Sequence, residues 1–133
     1  MKIKKLLFAS ALLFSAYNAS AQTQVIAHRG FWKTEGSAQN SIAALLKADS
    51  IGCYGSEFDV WLAADDQLVV NHDPTFKGKR MENSPSTALT AIKLDNGESL
   101  PTLAKYLKAA QPLHTRLILE LKAHSTPLRE TKA

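Results

Sequence analysis

Cysteine is nearly absent from this chain: Cys53 is the only one in 133 residues. No internal disulfide can form, and no metal site built on thiolates is available. Cys53 lies in Ile51-Gly52-Cys53-Tyr54-Gly55, a helix-to-strand turn. It reads as a small turn or core residue rather than a catalytic thiol, because a lone Cys is commonly buried and inert.

A bilayer-spanning run is also missing. Leu6 to Tyr17 is mostly apolar, but it is only about a dozen residues long against the roughly 20 that a spanning helix needs. Lys2, Lys4 and Lys5 precede it and the small residues of Ala19-Ser20-Ala21 follow, the pattern of a secretory signal peptide cleaved before Gln22. The expectation is a signal peptide at 1–21 and one domain at 22–133, periplasmic or secreted, with no stable membrane span after cleavage. No Cys sits near the cleavage point to carry a lipid.

Strong charge of one sign is lacking as well. The formal charge of +4 falls to +1 once residues 1–21 are removed, since they hold three Lys and no acid. No basic stripe interleaved with aromatics remains, so nucleic acid is not an expected partner. Lys77, Lys79 and Arg80 form the one basic cluster of the mature part and read as a solvated loop.

What is present is an alternation of strand and helix signals. Val25-Ile26-Ala27 reads as a short buried strand running into His28-Arg29-Gly30. A helix is expected from about Asn40 to Gly52, with Ile42, Leu45 and Leu46 on its apolar face. Gly55 to Leu62 alternates as a strand does, Asp65-Asp66 marks a turn, and Gln67 to Asn71 returns as a hairpin extension. Residues 74–99 read as loop. Pro101 suits the first turn of a second helix, whose apolar face is Leu103, Tyr106, Leu107 and Ala110 and which ends at Pro112. Arg116 to Lys122 is a third core strand, and the chain beyond Ser125 is polar and patternless. This order predicts βαβ units around a parallel sheet.

Side chains two apart on a strand share a face. Glu57 and Asp59 therefore point the same way, as do Glu120 and Lys122. Carboxylates side by side in a core strand repel and lose solvation unless a cation sits between them. A hard divalent ion, Ca²⁺ or Mg²⁺, is the simple solution, with Glu120 as third ligand if the two strands are neighbours. The plainer alternative leaves the acids on an exposed edge, paired with Lys122 or an Arg. His28 and His72 each end a strand, and imidazoles there suit proton transfer near neutral pH. Arg29 and Lys122 bring positive charge that a phosphodiester could use, or that could pair with the carboxylates. His114 precedes the third strand and reads as structural, whereas His124 lies two residues past Lys122 and is a weaker site candidate. Phe31 and Trp32 could pack on a substrate or simply within the fold.

Six elements then occur in order: Ile26-Ala27-His28-Arg29-Gly30, Gln39-Asn40-Ser41, Gly55-Ser56-Glu57-Phe58-Asp59-Val60, Val70-Asn71-His72-Asp73, Leu100-Pro101-Thr102-Leu103 and Leu119-Glu120-Leu121-Lys122. Together they resemble the glycerophosphodiester phosphodiesterase family, over nearly all of the mature chain. The resemblance implies a TIM (β/α)8 barrel, His28 and His72 as acid/base pair, and Glu57, Asp59 and Glu120 as metal ligands. It also implies phosphate contacts from Arg29 and Lys122, with Asn40 bordering them. The substrate's own glycerol hydroxyl would attack phosphorus, and water would open the cyclic phosphate to give glycerol 3-phosphate and an alcohol. One departure stands out: Ala38-Gln39 replaces the usual Pro-Glu before the Asn, so an amide stands where a carboxylate is expected.

A complete barrel of this kind takes eight strands and about 250 residues, so the expectation here is an incomplete barrel. It would hold about the first three βα units, with a β-hairpin extension after strand 2. Such a piece is expected to be weakly active or inactive alone, because closure of the ring holds the site's geometry. Two alternatives compete with a glycerophosphodiester hydrolase. One is a non-catalytic secreted remnant binding a phosphorylated ligand or a partner chain, against which both His residues argue. The other is a phosphodiesterase for lysophospholipid or sphingomyelin-type substrates. The sequence leaves the head group, the metal and the oligomeric state open.

Overall fold

The computed structural model describes residues 23–125. The expected signal peptide and most of the polar tail lie outside the described residues. The strands are β1 (Ile26–Ala27), β2 (Gly55–Leu62), β3 (Leu68–Val70), β4 (Thr75–Phe76), β5 (Lys79–Arg80) and β6 (Arg116–Leu121). The helices are α1 (Ile42–Ser50), α2 (Ser86–Thr90) and α3 (Leu103–Ala110), with a 3-10 turn at Met81–Asn83.

β2 is the hub. β6 runs parallel along one edge, from Gly55 opposite Arg116 to Val60 opposite Leu121. The other edge is shared: β1 pairs in parallel at Gly55 and Ser56, and β3 pairs antiparallel from Val60 to Leu62. Between those two partners, the backbone around Glu57 and Asp59 is met by loops instead of a strand. The chain therefore folds as part of a (β/α)8 barrel wall, with the hairpin strand β3 added at the carboxyl end of β2. β3 follows β2 closely because the Asp65-Asp66 turn, with Asp66 at φ 57°, reverses the chain.

Alternation along β2 sorts its side chains. Phe58 and Val60 face the helices and form a core with Leu45 of α1, Tyr106 of α3 and Val70. The Phe58 and Tyr106 rings lie 4.6 Å apart. Trp61, on the opposite face, joins a second core with Met81, Leu89, Leu94 and Leu100. The two longer helices, α1 and α3, start on a side-chain cap: Ser41 accepts from the Ala44 N–H, and Thr102 from the Lys105 N–H.

Three expectations need correction. Residues 74–99 are not simply loop, since they hold the β4–β5 hairpin, the 3-10 turn and α2. Elements of two to five residues are too short to show a period, and tertiary packing of Met81, Leu89 and Leu94 orders them. Pro101 stands one residue before the Thr102 cap rather than in the helix, and its carbonyl accepts from the Val70 N–H. Leu46 and Leu107 are 43% and 42% exposed, because the buried stripes of α1 and α3 turn on Leu45 and Tyr106. Cys53 is buried, as its turn position suggests. Among the described residues, no helix is long and apolar enough to cross a membrane.

Glu82, buried in the 3-10 turn, ties the segment after β6 into the fold. It accepts from the Ser125 N–H and hydroxyl at 2.9 Å each, and from Arg80 Nη2 at 2.8 Å. Burial pushes its pKa up, but these donors outweigh it and bring the value down from 4.5 to about 2. A depressed folded-state value stabilises the fold above the unfolded value and ceases to do so as pH falls through the folded one. Glu82→Gln is therefore expected to lose on the order of 2 kcal/mol relative to the parent at pH 6, with the gap closing between pH 4.5 and about 2. Urea melts of both proteins across that window check it; a gap unchanged with pH contradicts it.

Candidate metal and phosphate site

The loop after β1 turns sharply. Arg29 sits at φ 59°, and Gly30 follows at φ 77°. A Cβ on Gly30 would come within 2.6 Å of the Ala44 Cβ and 2.8 Å of its backbone, so only glycine lets this loop lie against α1. The Arg29 conformation is costly for a side-chain-bearing residue. Its N–H donates to Glu57 Oε2 at 2.8 Å, and its carbonyl accepts from the Asn40 N–H at 3.1 Å. The loop is thereby pinned to the unpaired stretch of β2.

The β2–β6 register sets Asp59 beside Glu120. Parallel neighbours point to one side of the sheet, so Glu57, Asp59 and Glu120 converge, with one oxygen of each lying within 4.8 Å of the others. Asp59 is fully buried. Its Oδ2 accepts from Asn40 Nδ2 at 2.8 Å, and its N–H donates to Asn40 Oδ1 at 3.2 Å. Asn40 thus clamps Asp59 from both sides. Its left-handed φ of 59° is one that Asn tolerates well.

Lys122 provides the local counter-charge. Its Nζ lies 2.7 Å from Glu120 Oε1 and 3.2 Å from Asp59 Oδ1. Burial would lower its pKa, but the bonds to Glu120 and Asp59 hold the ammonium above its ordinary value. The same hydrogen bond and charge hold Glu120 below the usual carboxylate range. Glu57 moves the other way: burial raises it, the Arg29 N–H offsets part of that, and Asp59 adds repulsion.

Two imidazoles border the carboxylates. His28 Nε2 is 3.8 Å from Glu57 Oε2, on a side chain 68% exposed. His72 is half-buried and shares a 2.8 Å contact from Nδ1 to Asp73 Oδ1. The charges of both reach Glu120. Beside His72 opens a cavity of about 270 Å³, lined by Trp32, Gln39, Asn40, Asn71, Asp73 and Phe76 among others.

Whether a cation suits the acidic cluster can be judged from its oxygens. Glu57 Oε1 is buried without a hydrogen-bond donor, and Asp59 Oδ1 has only the Lys122 ammonium near it. A buried carboxylate oxygen left without a donor, converging with oxygens of two further carboxylates, is what a hard divalent ion binds. The residues fit.

Known proteins share this fold. No family model matches the chain. A glycerophosphodiester phosphodiesterase structure from Parabacteroides distasonis ATCC 8503 superposes with a TM-score of 0.78 at 58% identity, over 80% of this chain and 45% of that one. A curated glycerophosphodiester phosphodiesterase from Caldanaerobacter subterraneus subsp. tengcongensis is 48% identical over 54 residues, 41% of this chain and 21% of that protein. Over the part of them that it spans, the chain is similar to glycerophosphodiester phosphodiesterases. A third relative, an Oleispira antarctica phosphodiesterase solved with its product sn-glycerol-3-phosphate, is 31% identical with a TM-score of 0.64, over 75% of this chain and 44% of that one. The chain thus spans less than half the length of these family members.

Against that family background, all eight residues singled out from the sequence lie around one patch of β2. Glu57, Asp59 and Glu120 converge, Arg29 lies beside Asp59, and Lys122 lies between Asp59 and Glu120, with His28 and His72 at the rim. Asn40 is there too, its amide engaged with Asp59. His114 stays apart: it is exposed, and its N–H donates to Asp49 Oδ1. His124 does not reach the site. It is buried against Trp61 and accepts from the Leu62 N–H at 2.9 Å. Sequence reasoning passed over Asp73, although its place directly after His72 was a usable signal. It also passed over Gln39 as the partner of Arg29, whose Nη1 donates to Gln39 Oε1 at 2.6 Å, a contact no spacing rule would reveal.

Proposed function

We propose that this site hydrolyses glycerophosphodiesters, with one divalent cation, Ca²⁺ or Mg²⁺, held by Glu57, Asp59 and Glu120. The observation that carries the reading is the meeting of three carboxylates from β2 and β6 with two imidazoles and two cationic side chains around them. The product bound to the Oleispira antarctica relative supports the substrate class.

Each group has a task. Arg29 and Lys122 hold the phosphate oxygens and orient the diester. A divalent cation bound at the acidic cluster would draw electron density from those oxygens. One imidazole takes the proton of the attacking glycerol hydroxyl as its oxygen bonds to phosphorus. The bond to the alcohol breaks, and the other imidazole protonates the departing oxygen. Water then opens the cyclic phosphate with the two roles exchanged, leaving glycerol 3-phosphate. The Asp73 carboxylate fixes the orientation of the His72 ring.

Among the described residues, β6 carries no strand on its outer edge, and Leu119 and Leu121 are 49% and 44% exposed. The site is therefore braced on one side only, and slow turnover is expected of this chain alone. We also propose export, on the strength of residues 1–21 and a mature start at Gln22. The test is glycerophosphocholine hydrolysis, assayed as choline release by the purified mature chain and by periplasmic and medium fractions of expressing cells. Activity that a chelator abolishes and Ca²⁺ or Mg²⁺ restores, in the exported fractions, is the expected result. Choline release that persists in chelator contradicts the metal role, and confinement to the cytoplasm contradicts export.

A further inference from the structure

Glu98 is not one of the three clustered carboxylates, yet it closes the helix that follows the Asn40 clamp. The first N–H groups of a helix find no acceptor within it. At the start of α1, the Ser41 hydroxyl serves Ala44. Ile42 and Ala43 both donate to Glu98, at 3.0 Å to Oε2 and 3.1 Å to Oε1. The helix dipole favours a carboxylate at this end. One half-buried side chain, more than fifty residues away in sequence, thus satisfies two otherwise orphaned donors.

The same turn holds the loop before α1 at its other end. Asn96 Nδ2 donates to Glu98 Oε1 at 2.7 Å and to the Gly36 carbonyl at 3.3 Å. The turn is itself fixed: the Leu94 N–H donates to the Glu98 carbonyl at 2.8 Å, and Leu94 is buried in the second core. Residues 37–41 therefore lie between two anchors, and Asn40 is among them. Its side chain engages both the N–H and Oδ2 of Asp59, and its own N–H donates to the Arg29 carbonyl. A shift at the start of α1 would carry the Asn40 amide with it. Asp59 and the Arg29 loop would both lose their registration.

We propose that Glu98 is a positioning residue for the cation site, holding the Asn40 clamp on Asp59 from across the fold. The inference rests on the metal reading above. It gives the segment between β5 and α3 a task at the site: its turn braces the loop that sets the central ligand.

The test is calorimetric titration of the mature chain with Mg²⁺ and with Ca²⁺, for Glu98→Ala and Glu98→Asp, each in the parent and in an Asn40→Gly background. Glycine keeps the left-handed turn at position 40 and removes only the clamp. Groups that touch a metal ligand directly are worth about 10- to 100-fold in affinity, and Glu98 acts one step further out. Glu98→Ala is expected to weaken cation binding about fivefold. Glu98→Asp keeps the charge but is too short to reach both N–H groups, and should lose about threefold. In the Asn40→Gly background neither change should weaken binding further, because the clamp they act through is gone. A Glu98 effect of the same size in both backgrounds overturns the proposal, since a general loss of stability would be additive. So does either Glu98 variant binding as tightly as the parent, which keeps the test decisive if Asn40→Gly does not fold. A parent that binds neither ion overturns the metal reading itself, and this inference with it.

Discussion

Asp59→Asn is expected to weaken divalent-cation binding at least about 100-fold and to remove hydrolysis with it. The substitution keeps volume and changes only charge and one donor, so the fold should survive. Asn40 can still satisfy one side of the new amide, as it now satisfies Asp59. What is lost is the central, fully buried negative charge between Glu57 and Glu120. Lys122, which now lies between Asp59 and Glu120, would be left to Glu120 alone. Thermal melts with and without Mg²⁺ read the effect: the parent should be stabilised by the ion through its preference for the folded state, and the variant should not. A variant that binds the ion within a few-fold of the parent would show that the carboxylates are only ion-pair partners for Arg29 and Lys122.

The second large effect separates chemistry from binding. His28→Ala and His72→Ala should each lower turnover by about 10² to 10⁴ while leaving cation affinity nearly unchanged, since neither imidazole is needed to hold the ion. His72 is the more constrained of the two, through its contact with Asp73, and His28 is the more exposed. Losing either should stop proton delivery at one end of the reaction, so the double variant should be little worse than the singles. Unchanged turnover in either single variant removes that imidazole from the mechanism. A non-catalytic binding module would have no turnover to lose.

Much of this was legible in the sequence because strands write their faces with a period of two. Glu57 and Asp59 had to share a side, and the βαβ order made β2 and β6 plausible neighbours. The register that puts Glu120 level with Asp59 was not legible, since nothing local encodes the slide of one parallel strand against another. The ordered motifs named the family, and the comparisons agree. The short elements between residues 74 and 99 escaped notice because their order comes from packing under Trp61 rather than from periodicity. His124, only a weaker site candidate from the sequence, lies away from the site for a related reason. Its chain position is close to Lys122, but its ring turns back to cap the Leu62 N–H, and only the fold reveals which way it turns. The Asn40 clamp and the Arg29–Gln39 hydrogen bond depend on left-handed turns in a loop that carries no regular pattern.

The most direct measurement is a calorimetric titration of the mature chain with Ca²⁺ and with Mg²⁺. The arrangement predicts one saturable site per chain for at least one of the two ions, abolished by Asp59→Asn. Heats no greater than dilution for both ions, in a chain shown to be folded, would mean that the lysine ammonium already satisfies these acids and that no cation belongs there.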